Sequence, residues 1–263
     1  MINKARLIHQ LGRFPFLGSI LRRLARRYPE GSIVSIKYSH LTGYKWKRSH
    51  KYLSSYWVGT FELPVQNCLV RELKQGDVFY DIGANAGFFS LLGSKCVGDR
   101  GQVFAFEPLR ENIETLKSQL ELNQVVNCTI IEAAVSDQVG EIQFCEESET
   151  TGGHIKSRES NEGRVNVVKT TTLDEFAKIN RPPDFIKMDI EGAEVFALQG
   201  AHGLLTKPNP PKFLIELHGE SNSKKVREIF EKEGYFLYTP DTTRTDSICM
   251  AGHVLALPKK SIK

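Results

Sequence analysis

The chain lacks any long apolar segment, and its cysteines are few and unpaired in pattern. No stretch of its 263 residues approaches the about 20 consecutive apolar residues of a membrane-spanning helix, and the N-terminus lacks the apolar core of a signal peptide. The five cysteines are odd in number and form no C-x-x-C pair, which argues against a disulfide framework and against a zinc knuckle. These absences predict a soluble protein of a reducing compartment, and we expect a cytoplasmic location.

Acidic residues are nearly absent from the first fifth of the chain. Residues 1–51 contain 12 Lys and Arg but one acid, Glu30, whereas the remainder carries 23 bases and 30 acids, within a net charge of +4. Apolar residues recur at helical spacing between Leu17 and Tyr28, with arginines around them. Such a basic helix either lies on an anionic membrane surface or docks on its own domain with its arginines in water. We favour the docked arm and expect at most weak membrane contact.

Residues 32–61 alternate apolar and polar side chains, with Thr42-Gly43 as a turn, which predicts short strands or a hairpin. Val65 to Leu73 then reads as a helix. The aromatic and basic residues of this region fit either base stacking on a nucleic acid or a half-buried cover over the domain. We favour the cover and predict no nucleic-acid partner.

The dinucleotide motif G-x-G-x-x-G is also absent, and a different glycine turn takes its place. Residues 78–90, VFYDIGANAGFFS, read as a strand, a turn and the start of a buried helix, with the spacing G-x-N-x-G. Asp81 precedes the first glycine by two residues, where a carboxylate would attract a cationic amino-acid group rather than a phosphate. S-adenosylmethionine carries an ammonium and a sulfonium and no phosphate, so the turn suits this cofactor better than NAD.

Four motifs in order, DIGANAGFFS, VFAFEP, DFIKMDIEGAEVFALQGA and LIELHG, run from about Gly76 to Gly219. In this order the chain resembles the FkbM-type family of S-adenosylmethionine-dependent methyltransferases. The resemblance implies S-adenosylmethionine as cofactor and a hydroxyl of a sugar, glycolipid or secondary metabolite as methyl acceptor. It also implies that the last strand inserts antiparallel beside the fifth.

Strand and helix patterns alternate from Asp77 onward, which predicts a parallel sheet covered on both faces. The predicted strands are Val78–Ile82, Gln102–Phe106, Cys128–Ile131, Phe185–Met188 and Phe213–Leu217, followed by one from Gly234-Tyr235 and one over Ile248–Leu257. The predicted helices are Gly87–Lys95, Arg110–Leu122, Thr172–Lys178, Ala193–Leu205 and Asn222–Glu233. We therefore expect an α/β, Rossmann-like, seven-stranded and mainly parallel sheet. It forms a methyltransferase domain at residues 73–263, preceded by a helical arm at 1–31 and an extension with short strands at 32–72.

The segment between Ala134 and Thr170 contains a polar excursion. It is flanked by strand-like segments at Ile142–Phe144 and Val165–Val168. A segment of this length inside a compact domain is usually a lid, a substrate-contacting flap or disordered.

The candidate cofactor residues follow the first three predicted strands. Glu107 ends the second strand, where a nucleotide-binding fold carries the carboxylate that binds the ribose; the alternative is an acid that caps the following helix. By resemblance, Ala134 and Asp137 lie near the adenine, although Asp137 also fits an ordinary turn. Asn85 and Ser90 are candidates for contact with the amino-acid part of the cofactor. The alternatives are that Asn85 serves only as a turn residue and that Ser90 is a solvated helix hydroxyl. The full predicted set is Asp81, Gly83, Ala84, Asn85, Gly87, Ser90, Glu107, Ala134 and Asp137.

The candidate catalytic residues follow the fourth and fifth predicted strands, whose carboxyl ends face the ligand crevice of such a sheet. They are Lys187, Asp189, Glu191, Glu216 and His218. We choose His218 as the base that takes the acceptor's proton, because a histidine with an unperturbed pKa is neutral at working pH. We choose Asp189 as the residue that positions the acceptor. Two acids and a histidine also fit a metal site, but we predict no metal.

The sequence thus favours an O-methyltransferase acting on a small hydroxylated molecule. The alternatives are an N-methyltransferase, which needs a base less, and a cofactor-binding or membrane-associated protein whose site has decayed. A dehydrogenase is disfavoured by the glycine spacing.

Overall fold

The computed structural model describes residues 29–52, 54–146, 153–155, 164–243 and 252–259. The predicted helical arm before residue 29 and residues 147–152 and 156–163 of the polar excursion lie outside these residues. Within them, no helix is long and apolar enough to cross a membrane.

The chain begins with two short strands and two helices: β1 (Ile33–Ser35), β2 (Lys45–Lys47), α1 (Ser55–Val58) and α2 (Leu63–Glu72). The first strand-and-helix units follow, as β3 (Val78–Ile82), α3 (Phe88–Val97), β4 (Gln102–Phe106), α4 (Arg110–Leu122) and β5 (Cys128–Ile131). Next come β6 (Ala134–Val135), β7 (Gly140–Glu146), β8 (Gly153–Ile155), β9 (Arg164–Thr171) and α5 (Leu173–Ile179). The last third contains β10 (Phe185–Met188), α6 (Glu194–Gln199), α7 (His202–Leu205), β11 (Lys212–Leu217), α8 (Glu220–Lys232), β12 (Tyr235–Tyr238) and β13 (Gly252–Pro258).

Seven strands form the main sheet in the order β12-β13-β11-β10-β3-β4-β5. The five strands from β11 to β5 are parallel, and β13 lies antiparallel between β11 and β12. This confirms the Rossmann-like sheet and the antiparallel last strand. A strand that is covered on both faces is mainly apolar, and β3, apolar except for Asp81, has all five of its residues buried.

The sheet separates two apolar cores. Phe79 packs in one core, with residues of α2, α3 and α4, and its neighbour Tyr80 packs in the other, with residues of α5, α6 and α8. Successive side chains of a strand point to opposite faces, so one short strand anchors both cores. The carboxyl edge between the two helical layers is left for the site.

The prediction of one continuous helix over Ala193–Leu205 is wrong, because the helix is interrupted between α6 and α7. A Cβ on Gly200 would lie 2.2 Å from the carbonyl oxygen of Ser136, so the backbone there packs against the segment after β6. The carboxylate of Asp174 in α5 accepts hydrogen bonds from the backbone N–H groups of Gly203 (2.7 Å) and Leu204 (2.8 Å). This side chain starts a new helix where the first one stops.

The polar excursion starts and ends in a second sheet of order β6-β9-β7-β8. The predicted strand-like flanks are confirmed as β7 and β9, which pair antiparallel from Gly140 opposite Thr170 to Glu146 opposite Arg164. The tip, at residues 147–152 and 156–163, is outside the described residues, so its role as a lid or flap stays a prediction.

The extension before β3 packs on the domain rather than beside it. Trp46, 1% exposed, stacks on Tyr56 at 5.4 Å between ring centroids and meets the edge of Phe88 in α3 at 6.1 Å. Rings buried in this way are not available to stack on bases, which supports the cover interpretation for Trp46 and Tyr56. We propose that residues 32–72 fold as one unit with the domain that follows.

Trp46→Ala should lower the free energy of unfolding by about 3–5 kcal/mol, because it removes a large buried ring from the contact between extension and domain. Urea unfolding followed by circular dichroism measures this. The control is Ile33→Ala in the same extension, whose side chain is 58% exposed and whose loss should change stability by less than about 0.5 kcal/mol. If the main transition is unchanged in Trp46→Ala, the extension is a separate unit.

Candidate active site

The turn after β3 is held in a left-handed conformation and packs against the end of β10. Gly83 has φ +78°, and a Cβ on it would lie 1.9 Å from the carbonyl oxygen of Asp189. The N–H groups of Gly83 and Ala84 both donate to the carbonyl of Phe106 at the end of β4, each at 3.0 Å. The turn therefore fixes the ends of three strands relative to one another.

The carboxylate of Glu107 reinforces this turn. It accepts hydrogen bonds from the N–H of Asn85 (2.8 Å), the N–H of Leu109 (3.0 Å) and the side-chain amide of Asn112 (3.2 Å). The side chain is buried, and burial raises the pKa of Glu107 to about 7 although these three donors oppose the rise. The carboxylate thus serves the start of α4, as in the helix-capping interpretation, and also bonds to the turn, whereas its role in binding the ribose stays a prediction.

Two other turn residues have defined partners. Asn85 adopts φ +49°, and its side-chain oxygen accepts from the N–H of Ala86 at 2.7 Å, as in the turn-residue interpretation. Gly87 is the residue that precedes α3. The interpretation of Ser90 as a solvated hydroxyl is wrong, because Ser90 is fully buried and donates to Asp81 at 2.6 Å.

Asp81 and Lys187 form a buried pair across β3 and β10, where they are register partners. The ammonium of Lys187 lies 3.9 Å from Asp81 Oδ1 and 3.4 Å from Asp189 Oδ2. Burial lowers the pKa of Lys187, but the carboxylates of Asp189 and Asp81 outweigh burial, so its pKa is raised overall. Burial raises the pKa of Asp81, with Lys187 and Ser90 opposing. Asp81 Oδ1 has no hydrogen-bond partner although it is shielded from solvent.

The predicted catalytic residues converge at the carboxyl edge of β10 and β11. The Nε2 atom of His218 lies 3.3 Å from Glu191 Oε2 and 3.9 Å from Asp189 Oδ1. Asp189, Glu216 and His218 each bring a ligand-type atom within 4.8 Å of the others. Glu191 has φ +51° and is the most exposed member of the group.

Glu194, at the start of α6, is a partner of His218 that sequence reasoning missed. This fully buried carboxylate accepts from His218 Nδ1 at 2.9 Å, from the N–H of Gly192 at 3.1 Å and from the side chain of Asn222. Glu194 lies three residues after Glu191, in the EGAE part of a motif already noted. This three-residue spacing between the two acids was the sequence signal from which Glu194 could have been found.

The expectation that His218 has an unperturbed pKa is wrong. The hydrogen bond to Glu194 raises the pKa of His218 to about 9, with a further rise from the charges of Glu194, Glu191 and Asp189, and burial opposes these effects. The ligand-free ring is therefore mainly protonated at neutral pH. The same pairing makes the neutral ring a stronger base than an isolated imidazole.

Two further residues were missed, and both come from segments distant in sequence. His253 in β13 is the register partner of Glu216 in β11, and its Nε2 lies 3.6 Å from Glu216 Oε2. Glu62, just before α2, brings Oε2 to 3.4 Å from the same nitrogen. His253 was findable only from the register of the last strand, and Glu62 had no sequence signal.

The predicted adenine side is further along the same edge. Ala134 in β6 is buried against Leu109, two residues after Glu107, whereas Asp137 is exposed and accepts from the hydroxyl of Ser136 at 3.0 Å. Thus Ala134 packs close to the segment that carries Glu107, and the hydrogen bond of Asp137 is that of an ordinary turn.

A sheet of this order, with a glycine turn and a carboxylate at the ends of its first two parallel strands, is typical of a Rossmann-like nucleotide-binding fold. The model of the methyltransferase FkbM domain matches residues 81–237, more than half of the chain. The chain belongs to the FkbM methyltransferase family, and its cofactor is S-adenosylmethionine.

The chain is also similar to one named relative and to solved structures. Hexuronic acid methyltransferase AglP of Haloferax volcanii is 27% identical over 175 residues, which cover 65% of this chain and 68% of the relative. Among solved structures, precorrin-6y C5,15-methyltransferase of Geobacter metallireducens aligns over 81% of this chain and 94% of its own, with a TM-score of 0.49 and 15% identity. An S-adenosylmethionine-dependent O-methyltransferase of Thermotoga maritima aligns over 92% and 81%, with a TM-score of 0.47 and 13% identity.

The residues present fit this cofactor. Asp81 offers a buried carboxylate oxygen without a hydrogen-bond partner, which suits an ammonium group. Glu107 Oε2 accepts one hydrogen bond and has a second lone pair for a ribose hydroxyl. We propose that Asp81 binds the amino group of the cofactor and Glu107 its ribose.

Glu107→Gln should weaken binding of S-adenosylmethionine by about 1.5–3 kcal/mol, because a hydrogen bond to a charged acceptor is lost. Calorimetry with the cofactor and its demethylated product measures this, and Glu114→Gln on the exposed face of α4 is the control. Tight binding of NAD without binding of S-adenosylmethionine would contradict the cofactor roles.

Glu107 should also make the stability of the ligand-free chain depend on pH. Its folded-state pKa of about 7 exceeds the ordinary value of 4.5, so the folded state binds the proton more tightly. The contribution of this tighter proton binding to the free energy of unfolding is fully present below pH 4.5 and is lost as the pH rises to about 7. Relative to Glu107→Gln, the free energy of unfolding of the wild type should fall by about 1–3 kcal/mol over this range, as measured by urea unfolding. A pH-independent difference would contradict it.

Proposed function

We propose that the chain is an O-methyltransferase that methylates a hydroxyl of a sugar or of a related hydroxylated metabolite. The observation that carries this proposal is the pair of His218 and the buried Glu194, beside Asp189 at the carboxyl edge of the sheet. A base held in this way serves an alcohol, which must lose its proton as it attacks. A sugar acceptor is supported by the relative from Haloferax volcanii, whose name describes hexuronic acid as its substrate.

Glu194 defines how His218 acts. Because its carboxylate accepts from Nδ1 at 2.9 Å, the neutral ring keeps its proton on Nδ1 and presents a lone pair at Nε2. Nε2 is the ring nitrogen nearest to Asp189 and Glu191. This arrangement of carboxylate, imidazole and proton donor is a general-base device in which the buried acid orients the ring.

The remaining residues bind and orient. When bound, S-adenosylmethionine supplies the methyl group from its sulfonium. When the ring of His218 is neutral, its Nε2 takes the hydroxyl proton as the acceptor oxygen attacks, and Asp189 stabilises the charge that develops on the ring. Lys187 holds Asp189 at 3.4 Å and so fixes its orientation, and Glu216 lines the same edge. Most of the rate then comes from the alignment of two bound molecules.

His218→Ala should reduce the single-turnover rate of methyl transfer by about 10²–10⁴-fold, the usual contribution of a general base, with little change in cofactor affinity. Glu194→Gln should reduce the rate less than His218→Ala does, because the imidazole is still present and only the hydrogen bond that orients it is weaker. The assay uses labelled S-adenosylmethionine with a panel of hexoses, hexuronic acids and their glycosides. His202→Ala, an exposed histidine in α7, is the control.

Three outcomes separate this proposal from its alternatives. If His218→Ala retains activity and Asp189→Asn abolishes it, the carboxylate is the base. Transfer to amino sugars with none to hydroxyls would make the chain an N-methyltransferase, which the many acids of the site would suit. Cofactor binding without transfer to any member of the panel, including amino sugars, would favour a decayed site.

A further inference from the structure

We propose that Glu62, Glu216 and His253 form a binding site for one divalent transition-metal ion. This cluster lies beside the acceptor edge, and the inference goes beyond the methyl transfer proposed above. It also revises the expectation from sequence that the chain has no metal site.

The three side chains come from three elements and meet at one point. Glu62 precedes α2, Glu216 is in β11, and His253 is opposite Glu216 in β13. His253 Nε2 lies 3.4 Å from Glu62 Oε2 and 3.6 Å from Glu216 Oε2. Ligands about 2.0–2.2 Å from a shared ion are themselves separated by roughly 3.0–3.6 Å. The spacing is therefore already close to that of a coordination shell.

Two of these donor atoms are shielded from solvent and have no hydrogen-bond partner: Glu62 Oε2 and His253 Nε2. The His253 side chain is 12% exposed, and its orphaned nitrogen points at both carboxylates. An unsatisfied buried polar atom costs about 1–3 kcal/mol and in native proteins often marks an ion or a water. Two such atoms aimed at each other indicate a ligand between them.

The backbone at Glu62 is also unusual. This residue has φ +41° and ψ +55°, a left-handed conformation that a residue other than glycine adopts at some cost. The helix that follows begins with Leu63 and Pro64, and the left-handed residue turns the Glu62 side chain toward β13. Strain of this kind is typical of residues held in place for binding.

The chemistry of the donors selects the class of ion. An imidazole with two carboxylates suits Mn²⁺, Fe²⁺ or Zn²⁺ better than Mg²⁺ or Ca²⁺, which prefer oxygen ligands.

A second group of possible ligands, Asp189, Glu216 and His218, shares Glu216. Nε2 of His253 is shielded and has no hydrogen-bond partner, which is true of neither ring nitrogen of His218, whose Nδ1 bonds to Glu194 at 2.9 Å. We therefore assign the ion to the set that contains His253.

The test is titration of the metal-stripped full chain with Mn²⁺, followed by the loss of the free-ion signal in electron paramagnetic resonance. The wild type should bind one equivalent. Glu62→Gln and His253→Asn should each weaken this binding at least about tenfold, since even the loss of an outer-shell partner costs 10–100-fold. Both variants should retain S-adenosylmethionine binding, which shows that they fold and keeps this test independent of methyl transfer.

Two matched histidine variants serve as controls. His202→Asn removes an exposed histidine next to Glu233, and His218→Asn removes the histidine of the competing group; both should leave Mn²⁺ affinity within about threefold. Anomalous diffraction from Mn²⁺-soaked wild-type crystals should place the ion between Glu62 and His253, whether or not the variants fold. The proposal is overturned if the wild type binds no Mn²⁺, if all variants bind equally, or if only His218→Asn loses the ion.

Discussion

The buried ammonium of Lys187 is the charge on which the carboxyl edge of the sheet depends. It is 2% exposed, is the register partner of Asp81 and lies 3.4 Å from Asp189, and it also attracts the more distant carboxylates of Glu62 and Glu216. A buried carboxylate that loses its cationic partner typically destabilises a protein by about 3–5 kcal/mol. The carboxylates of Asp81, at the end of β3, and of Asp189, after β10, therefore both depend on this lysine. One side chain couples the proposed cofactor-binding and acceptor-binding parts of the site.

Around this charge the site is built from both ends of the chain. The glycine turn and Glu107 follow the first strands of the main sheet, Glu194 and His218 come from the last third of the chain, and Glu62 and His253 come from the extension and the last strand. The extension thus places a side chain at this edge of the sheet and also covers the core.

The parts of the fold that could be predicted are those with local causes. Three of the four residues of Phe185–Met188 are apolar, so a buried strand follows from composition, and polar residues after it lie at the sheet's edge. The break at Gly200 depends on how closely Ser136 approaches it, which no local pattern contains. The pKa of His218 depends on Glu194, a residue 24 positions away that reaches it only when α6 packs against β11. The pairing of His253 with Glu216 depends on strand register, which the alternation of residues leaves undetermined.

The ribbon formed by β1 and β2 has one further property. On its outer edge, the backbone N–H and C=O of Lys47 bond to the side-chain amide of Gln119 at 3.0 and 2.8 Å, and those of Lys45 bond to Asn123 at 2.8 Å each. An amide side chain has the same donor and acceptor as a peptide group, so helix α4 acts as the missing third strand of the ribbon. An exposed strand edge is the usual template for aggregation and strand exchange between molecules. Here two amides close that edge, and the ribbon has no free backbone at Lys45 or Lys47 with which to recruit another chain.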